Sequence, residues 1–313
     1  MHALSGLLKQ HRSLLADEVR MSAYAAAIAA SVRSDDVVLD LGSGTGILAM
    51  LAVRAGARRV FAIEREHTID AAALLARQNG LKVEWFHRAS PEVELPERAT
   101  LLITETLGNL GFDEGILGSV LDARRRLLTA DARIVPQSVS LIAAPVEAPE
   151  LFEKRIGWWS GRRQDIDVSP MRTFASNQTW STDFAPHSLL AVPAVIHDAT
   201  LGAIESTLVR GGAAFEVTRD AILHGFGAWF STKLTPEITL SNAPPLRTPN
   251  WSQGFLPLEN PVTVHAGAKV TLDLETDDGT QWRWRGTIDS GRLIRFDQMT
   301  QFGFAPCIIP TAT

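Results

Sequence analysis

One cysteine in 313 residues, Cys307, is too few for an internal disulfide framework or a cysteine-based zinc site, and it points to a reducing compartment. Between Pro306 and Ile308 it reads as a small apolar filler rather than a nucleophile. No apolar run approaches the roughly 18 residues that a membrane span needs. The start, Met1 to Arg12, is interrupted by His2, Ser5, Lys9, Gln10 and His11, which is not the layout of a signal peptide. A cytoplasmic protein without a membrane partner is expected. Positive charge is not in excess either: 30 Lys and Arg stand against 35 Asp and Glu, a formal net charge of −5. Broad binding to a phosphate backbone requires clustered Lys and Arg, so no nucleic-acid partner is expected. Internal repeats and low-complexity tracts are missing too.

What is present is an ordinary folded composition, 45% hydrophobic and 21% charged, at a length suited to two lobes. Leu4 to Val32 is rich in helix formers without an internal Pro and predicts one or two helices. Strands are predicted at Val37–Leu39, Val60–Ile63, Val83–Phe86 and Leu101–Thr104, with helices at Ile47–Arg54, His67–Gln78 and Asp113–Leu127. That alternation implies βαβ units and a parallel, Rossmann-like sheet over residues 1–135, an α/β class. Past Pro136 the pattern changes. Ser138–Ala143, Ala203–Val209, Gly212–Thr218, Val262–Val264, Lys269–Leu274 and Gln281–Ile288 read as strands of a mainly antiparallel sheet or β-barrel over 136–313. The Trp, Arg, Ser and Pro-rich stretch Trp158–Ser188 fits neither pattern.

The densest chemical signal is Asp40-Leu41-Gly42-Ser43-Gly44-Thr45-Gly46, directly after an apolar strand and before a helix. Glycines let a backbone turn sharply and lie against a ligand, and the helix start presents free N–H groups there. A dinucleotide fingerprint would place its third small residue at Ile47, and no G-K-[ST] ending is present, so neither a dinucleotide nor a phosphate loop fits. Glu64 ends the second strand, where a carboxylate accepts the two hydroxyls of a ribose. The G-x-G-x-G spacing with Asp40 before it is similar to class I methyltransferases, which implies S-adenosyl-L-methionine as cofactor.

After the fourth strand, Glu105 and Glu114 bracket a Gly-rich apolar loop, nine residues apart, at the carboxyl edge of the sheet where open α/β folds bind ligands. Folding of that loop on itself brings both carboxylates to one cavity. Little Lys or Arg lies near them in sequence, so neither is expected to be held in a local ion pair, and both are expected to act on a substrate while sparing the fold.

Here the chain resembles the protein arginine methyltransferases over most of its length. The match includes His11, Leu15, Asp17, Arg20 and Tyr24 of the first helical stretch, the glycine loop, Ala55-Gly56-Ala57, Glu64, Val93-Glu94-Leu95-Pro96, and Glu105 with Glu114. Trp158-Trp159 and Ile166–Pro170 resemble the start of that family's dimerisation arm, about 152–188, and Trp251 with Gln253 falls where the family has T-H-W-x-Q. The resemblance implies that His11 and Arg20 hold the cofactor carboxylate, that Asp40, Gly42, Gly44, Thr45 and Gly46 cradle the cofactor, and that Glu64 holds its ribose. It also implies that Glu105 and Glu114 clamp a guanidinium, that Asp17 works beside them, that Trp251 walls the substrate pocket, and that the chain is a homodimer.

Four positions depart from the family pattern. Pro249-Asn250-Trp251 replaces T-H-W, so Asn250 stands where a histidine would pair with Asp17. The aromatic lid would fall on Met1–Ser5, which carries no aromatic residue, and the adenine-reading glutamate aligns with Pro91, leaving Ser90 beside it as the candidate contact. Arg162-Arg163 and Thr179-Trp180 occupy unfamiliar places in the arm. Plainer readings stand beside each role. Glu114 suits a helix first turn, Arg20 could pair with Asp17 or Glu18 along its helix, and Trp251 could be core alone.

The functional reading is N-methylation of a guanidino group, in an arginine of a protein or peptide, with no metal required. The rivals are the same chemistry on free arginine or a small guanidino metabolite, and a catalytically silent S-adenosylmethionine-binding partner protein.

Overall fold

The structure, a computed structural model, describes residues 11–245, 248, 250–277 and 279–300. Cys307 and the Met1–Ser5 segment lie outside the described residues. The chain enters as helix α1 (residues 11–16), breaks at Asp17 and resumes as α2 (Glu18–Ser31). Asp17 is the reason for the break: its backbone is extended at φ −77°, ψ 91°, and its side chain caps the new helix by accepting from Arg20 N–H. The buried face of α2 is Arg20, Tyr24, Ala27 and Ile28, the spacing of one helical stripe.

Five strands follow, β1 (Val37–Leu41), β2 (Arg59–Glu64), β3 (Glu84–His87), β4 (Ala99–Thr104) and β5 (Leu128–Val135), interleaved with α3 (Ile47–Arg54), α4 (Thr68–Gln78) and α5 (Ile116–Arg126). All strand pairs are parallel and the order is β3-β2-β1-β4-β5. β1 is central and buried at every position, as its unbroken run Val-Val-Leu-Asp-Leu demands. The strand order reverses between β1 and β4, so the loops leaving their carboxyl ends diverge and open a crevice. Those two loops carry Gly42–Gly46 and Glu105–Glu114.

The chain then crosses Val135-Pro136 into β6 (Ser138–Val146), α6 (Pro149–Arg155), the two-stranded hairpin β7 (Arg162–Arg163) and β8 (Ile166–Asp167), α7 (Pro170–Ser176) and β9 (Trp180–Thr182). It continues through β10 (Ala194–Thr200), β11 (Val209–Glu216), β12 (Ala221–Lys233), β13 (Thr239–Ser241), β14 (Gln253–Val264), β15 (Lys269–Thr276), β16 (Arg283–Asp289) and β17 (Leu293–Met299). One antiparallel sheet runs β10-β6-β12-β14-β9 with β13 on β12, and a second runs β11-β15-β16-β17. Phe226 of the first packs on Phe296 of the second at 5.5 Å, and Trp284 Nε1–H donates to Pro257 O at 2.9 Å, so the two sheets enclose one apolar interior. At the β10/β11 seam the backbones approach so closely that a Cβ on Gly211 would lie 1.8 Å from the Ile196 carbonyl oxygen; only glycine fits.

Several sequence expectations need correction. Residues 203–208 are turn and loop, and the strand expected at Gly212–Thr218 lies at Val209–Glu216. The helix expected from Asp113 begins at Ile116, because Asp113 to Gly115 complete the preceding loop and Gly115 caps in the left-handed conformation. β5, β10, β12 and β17 are strands that the sequence reading did not contain. The longest, β12, is buried continuously from Leu223 to Phe230 and shows no alternation to read.

Between β6 and β10 the chain makes an excursion that rejoins the first sheet at β9 and has a small core: Phe152, Ile156, Ala175 and Phe184 pack with Val146 and Phe255. Outside that core Trp158, Ile166 and Met171 stay exposed, 48%, 67% and 40%.

Candidate active site

The glycine loop leaves β1 with Gly42, Gly44 and Gly46 at φ +75°, +53° and +71°, a backbone that residues with a Cβ rarely adopt. Space demands glycine as well. A Cβ on Gly44 would lie 2.8 Å from His11 Cε1, and one on Gly46 would lie 2.4 Å from the Trp85 ring. His11 therefore lies against the loop. Its burial lowers its pKa, opposed by Glu64 and assisted by Arg20, so the imidazole is neutral at neutral pH. Gly44 N–H donates to Glu64 Oε2 at 2.8 Å and Glu66 N–H to Glu64 Oε1 at 2.8 Å, which places the Glu64 carboxylate across the mouth of the loop. Ser90 starts the turn after β3 and is fixed from α5, its hydroxyl 3.3 Å from Asp122 and its carbonyl accepting from Arg126.

Asp40 lies beneath the loop. One carboxylate oxygen accepts from Ala49 N–H at 2.9 Å, while Oδ1 is buried without a partner, as is the hydroxyl of Ser43. Burial, against that hydrogen bond and with Glu64 and Glu105 nearby, pushes the Asp40 carboxyl up to about 7. A buried polar atom left unpaired costs about 1–3 kcal/mol. A cradle with two such atoms, three acids around it and open backbone suits a polar, cationic ligand. S-adenosylmethionine, with its sulfonium and ribose hydroxyls, fits that description.

The second loop folds back on itself as expected, but the residue that folds it is one the sequence reading did not single out. Asp113 points inward: its carboxylate accepts from Asn109 N–H at 3.1 Å and Leu110 N–H at 2.9 Å, and a Cβ on Gly108 would lie 2.4 Å from its Oδ1. A short acid in a loop more often binds backbone N–H groups that follow it, so the sequence carried no local signal for this backward fold. Barrel residues complete the loop. Asn242 Nδ2 donates to Asn109 O at 2.8 Å and to Ser252 O at 2.7 Å, and Ser252 N–H donates to Asn109 Oδ1 at 3.0 Å. Gln253, fully buried, joins Asn242 O to the backbone N–H of Phe184.

No Lys or Arg close in sequence pairs with Glu105, but a distant one does. Arg20, 85 residues earlier, donates to it from both Nε (2.8 Å) and Nη2, and both side chains are buried, 7% and 8% exposed. The helix-surface pairing of Arg20 with Asp17 or Glu18 does not describe this geometry. Burial raises the Glu105 pKa while Arg20 and the Leu107 N–H oppose it. Glu114 is partly exposed, yet protein lies close around its carboxylate. Desolvation first, then Glu105 and Asp113, push its carboxyl up to about 7. The two acids therefore sense each other, and Arg20 neutralises only one.

Asp17 is fully buried; after capping α2 through Oδ1, its Oδ2 faces the backbone N–H of Asn250 at 3.4 Å. A main-chain amide thus supplies the link that the Asn250 side chain cannot. Trp251 is 4% exposed, edge-on to Phe230 at 5.1 Å, and its ring lies 5.8 Å from the Arg20 guanidinium, so it is at once core and a wall beside the acids. Tyr24 O–H donates to Thr104 O at 3.2 Å under the crevice. Burial holds its pKa well above the ordinary value, so it is a neutral donor and not a base.

A glycine cradle at the end of β1, a carboxylate at the end of β2 and a paired-acid loop after β4 define a class I methyltransferase site. Residues 21–106 match the family model of ribosomal protein L11 methyltransferase (PrmA), and residues 137–289 match the arginine methyltransferase oligomerization subdomain. The chain is 30% identical over 280 residues to protein arginine N-methyltransferase 6 of Xenopus tropicalis, spanning 84% of this chain and 82% of that one. It is 28% identical over 297 residues to human protein arginine N-methyltransferase 2, spanning 89% and 68%. In fold it is similar to a chain of the Trypanosoma brucei PRMT1 enzyme-prozyme heterotetrameric complex with AdoHcy, with TM-score 0.84 at 23% identity over 92% of this chain and 96% of that one. Arabidopsis thaliana protein arginine methyltransferase 10 gives TM-score 0.80 at 22% identity, over 93% and 97%. The chain belongs to the protein arginine N-methyltransferase family.

Proposed function

We propose that this chain transfers a methyl group from S-adenosylmethionine to a guanidino nitrogen of arginine in a protein or peptide. The observation that carries the reading is the pair Glu105 and Glu114: two carboxylates near enough to act on each other, one paired with Arg20, the other with no ion pair among the described residues and raised to about 7 by its surroundings. A guanidinium is protonated at any working pH and its lone pairs are delocalised. Two carboxylates that grip it fix its plane and draw positive charge away from the reacting nitrogen. The bound cofactor supplies an electrophilic methyl on its sulfonium. Glu64, Asp40 and the glycine loop bind and orient it; Arg20 aligns Glu105 and opposes the rise in its pKa that burial causes; Trp251 excludes water from one side. Asp17 already accepts from two backbone N–H groups and acts by holding α2 and the Asn250 turn together. The proton lost from the guanidinium goes to Glu114, whose affinity for it suits neutral pH.

The homodimer reading is supported by where large apolar residues are exposed: Trp158, Ile166 and Met171 on the excursion from the barrel, and Leu15, Val19, Leu74 and Leu75 on α1, α2 and α4. Two complementary patches of one chain are what a two-fold interface pairs. A division into residues 1–135, which bind the cofactor, and 136–313, which bear the barrel and arm, follows the same reading. No helix among the described residues is long and apolar enough to cross a membrane.

The test is incubation with labelled S-adenosylmethionine against arginine-rich peptides, lysine analogues of the same peptides, and free arginine. Label in arginine peptides alone supports the proposal. Label in free arginine alone moves the substrate to a small metabolite. AdoHcy binding with no transfer to any of them identifies a silent partner.

A further inference from the structure

We propose that His67, Asp70 and His87 form a site for a divalent transition-metal ion of the Zn²⁺ class on the rim of the cofactor crevice. They are the one group of at least three His, Cys, Asp or Glu side chains among the described residues whose ligand atoms all lie within 4.8 Å of one another. Two elements build it. His67 precedes the first residue of α4 and makes no capping bond with its side chain, and Asp70 follows within the first turn. His87 ends β3, in register with Glu64 of β2. His67 Nδ1 stands 3.7 Å from Asp70 Oδ2, and the two imidazole rings meet edge to face at 4.9 Å.

Ligands about 2.1 Å from a shared ion are at most about 4.2 Å apart. The ligand atoms lie within 4.8 Å of one another, and small rotations of the three exposed side chains bring them to that range. Two imidazoles and a carboxylate select zinc, nickel or copper over magnesium and calcium, which prefer oxygen ligands alone. Three protein ligands leave a fourth position to water. Of the neighbouring cations, Arg65 is engaged by Glu66 at 3.4 Å, and Arg88 follows His87 in the chain and sets a limit on affinity. The pair His265 and Asp220, 3.6 Å apart, offers a comparison: the same chemistry without a third ligand among the described residues. An ion at the proposed site joins the start of α4 to the end of β3, on either side of the turn in which Glu66 N–H holds Glu64.

The full chain, treated with chelator and free of cofactor, is titrated with ZnCl₂ and separately with MgCl₂ by calorimetry, which makes the result independent of any methyl transfer. One zinc ion is expected to bind saturably, with no magnesium binding. His67→Ala and His87→Ala should each weaken zinc at least about tenfold, and Asp70→Asn should weaken it less. His265→Ala and Cys307→Ser should leave it unchanged. All three ligands are exposed, and metal-free melting temperatures check that each variant folds; the milder His67→Gln and His87→Gln repeat the test for any that does not. Absence of saturable zinc binding, retention of it in the His67→Ala/His87→Ala double variant, or an equal loss in His265→Ala or Cys307→Ser overturns the proposal.

Discussion

Replacing either clamp glutamate by glutamine should abolish turnover, but the two variants should part company in stability. In Glu105→Gln the Arg20 guanidinium loses a buried anion to which it donates from Nε and Nη2. Stripping one partner from a buried ion pair costs about 3–5 kcal/mol; the glutamine oxygen still accepts one bond, so about 3 kcal/mol is appropriate here. For a chain of this size each kcal/mol lowers the melting temperature by about 2 °C, a drop of roughly 6 °C. Among the described residues Glu114 has no ion pair, and its carboxyl is raised to about 7. Its folded pKa exceeds its unfolded value, so the folded state binds the extra proton between roughly pH 4.3 and about 7, and charging Glu114 costs stability as pH rises through that window. Glu114→Gln should therefore melt at or slightly above wild type at pH 8. Each single variant should lose at least about a hundredfold in kcat/KM, and the double variant should lose little more, since one clamp is broken by either change. The assays are calorimetric melting at pH 6 and 8 and methyl transfer to an arginine peptide. A Glu105→Gln that melts with wild type, or a Glu114→Gln that melts below it, would falsify the asymmetry argued from the Arg20 pair.

Arginine-peptide methylation should fall about tenfold per pH unit below about 7 as Glu114 takes up a proton, and steeply if Asp40 titrates with it; a profile flat from pH 5.5 to 8 rejects this. Asp113→Asn turns an N–H group toward Asn109 or Leu110 N–H, which should raise the peptide KM at least about tenfold while AdoHcy affinity holds; equal loss of both would mean general unfolding of the crevice. Glu64→Ala should weaken AdoHcy at least about tenfold by calorimetry and Glu64→Gln less, because glutamine keeps an acceptor for Gly44 or Glu66 N–H; unchanged binding in Glu64→Ala removes Glu64 from the cofactor site. Light scattering should give the mass of a dimer, and Trp158→Asp with Ile166→Asp should yield monomers if the arm makes the interface.

The sequence made the crevice legible because its chemistry is local. Asp40 to Gly46 lie in one turn, Glu64 ends its strand, and Glu105 and Glu114 share a loop. What it hid was long-range. Nothing near Glu105 announces Arg20, since the contact needs α2 to cross the carboxyl edge of the sheet. Nothing near Asn250 announces that its backbone rather than its side chain would meet Asp17. In the barrel, alternation revealed β15 and β16, whose faces differ, and failed at β12, where continuous burial of residues 223–230 leaves no period to detect. Gly225 and Gly227 within it each mark a close approach, to Leu256 O and to the Phe184 ring. Asp113 was read as the opening of a helix because an acid there is common; its two backbone partners lie on its other side.

The contacts that complete the second loop also set an order in time. Asn109 is held by Asn242 and Ser252, and Asp17 by Asn250, across 133, 143 and 233 residues. The glycine cradle and Glu64 need nothing past β5. As the chain leaves the ribosome, amino-terminal end first, a cofactor cradle can form while the residues that seat the guanidinium loop are still unmade. A polypeptide that ends before about residue 240 lacks Asn242, Asn250 and Ser252, the residues that tie Asn109 and Asp17 in place, and is expected to lack a finished second loop.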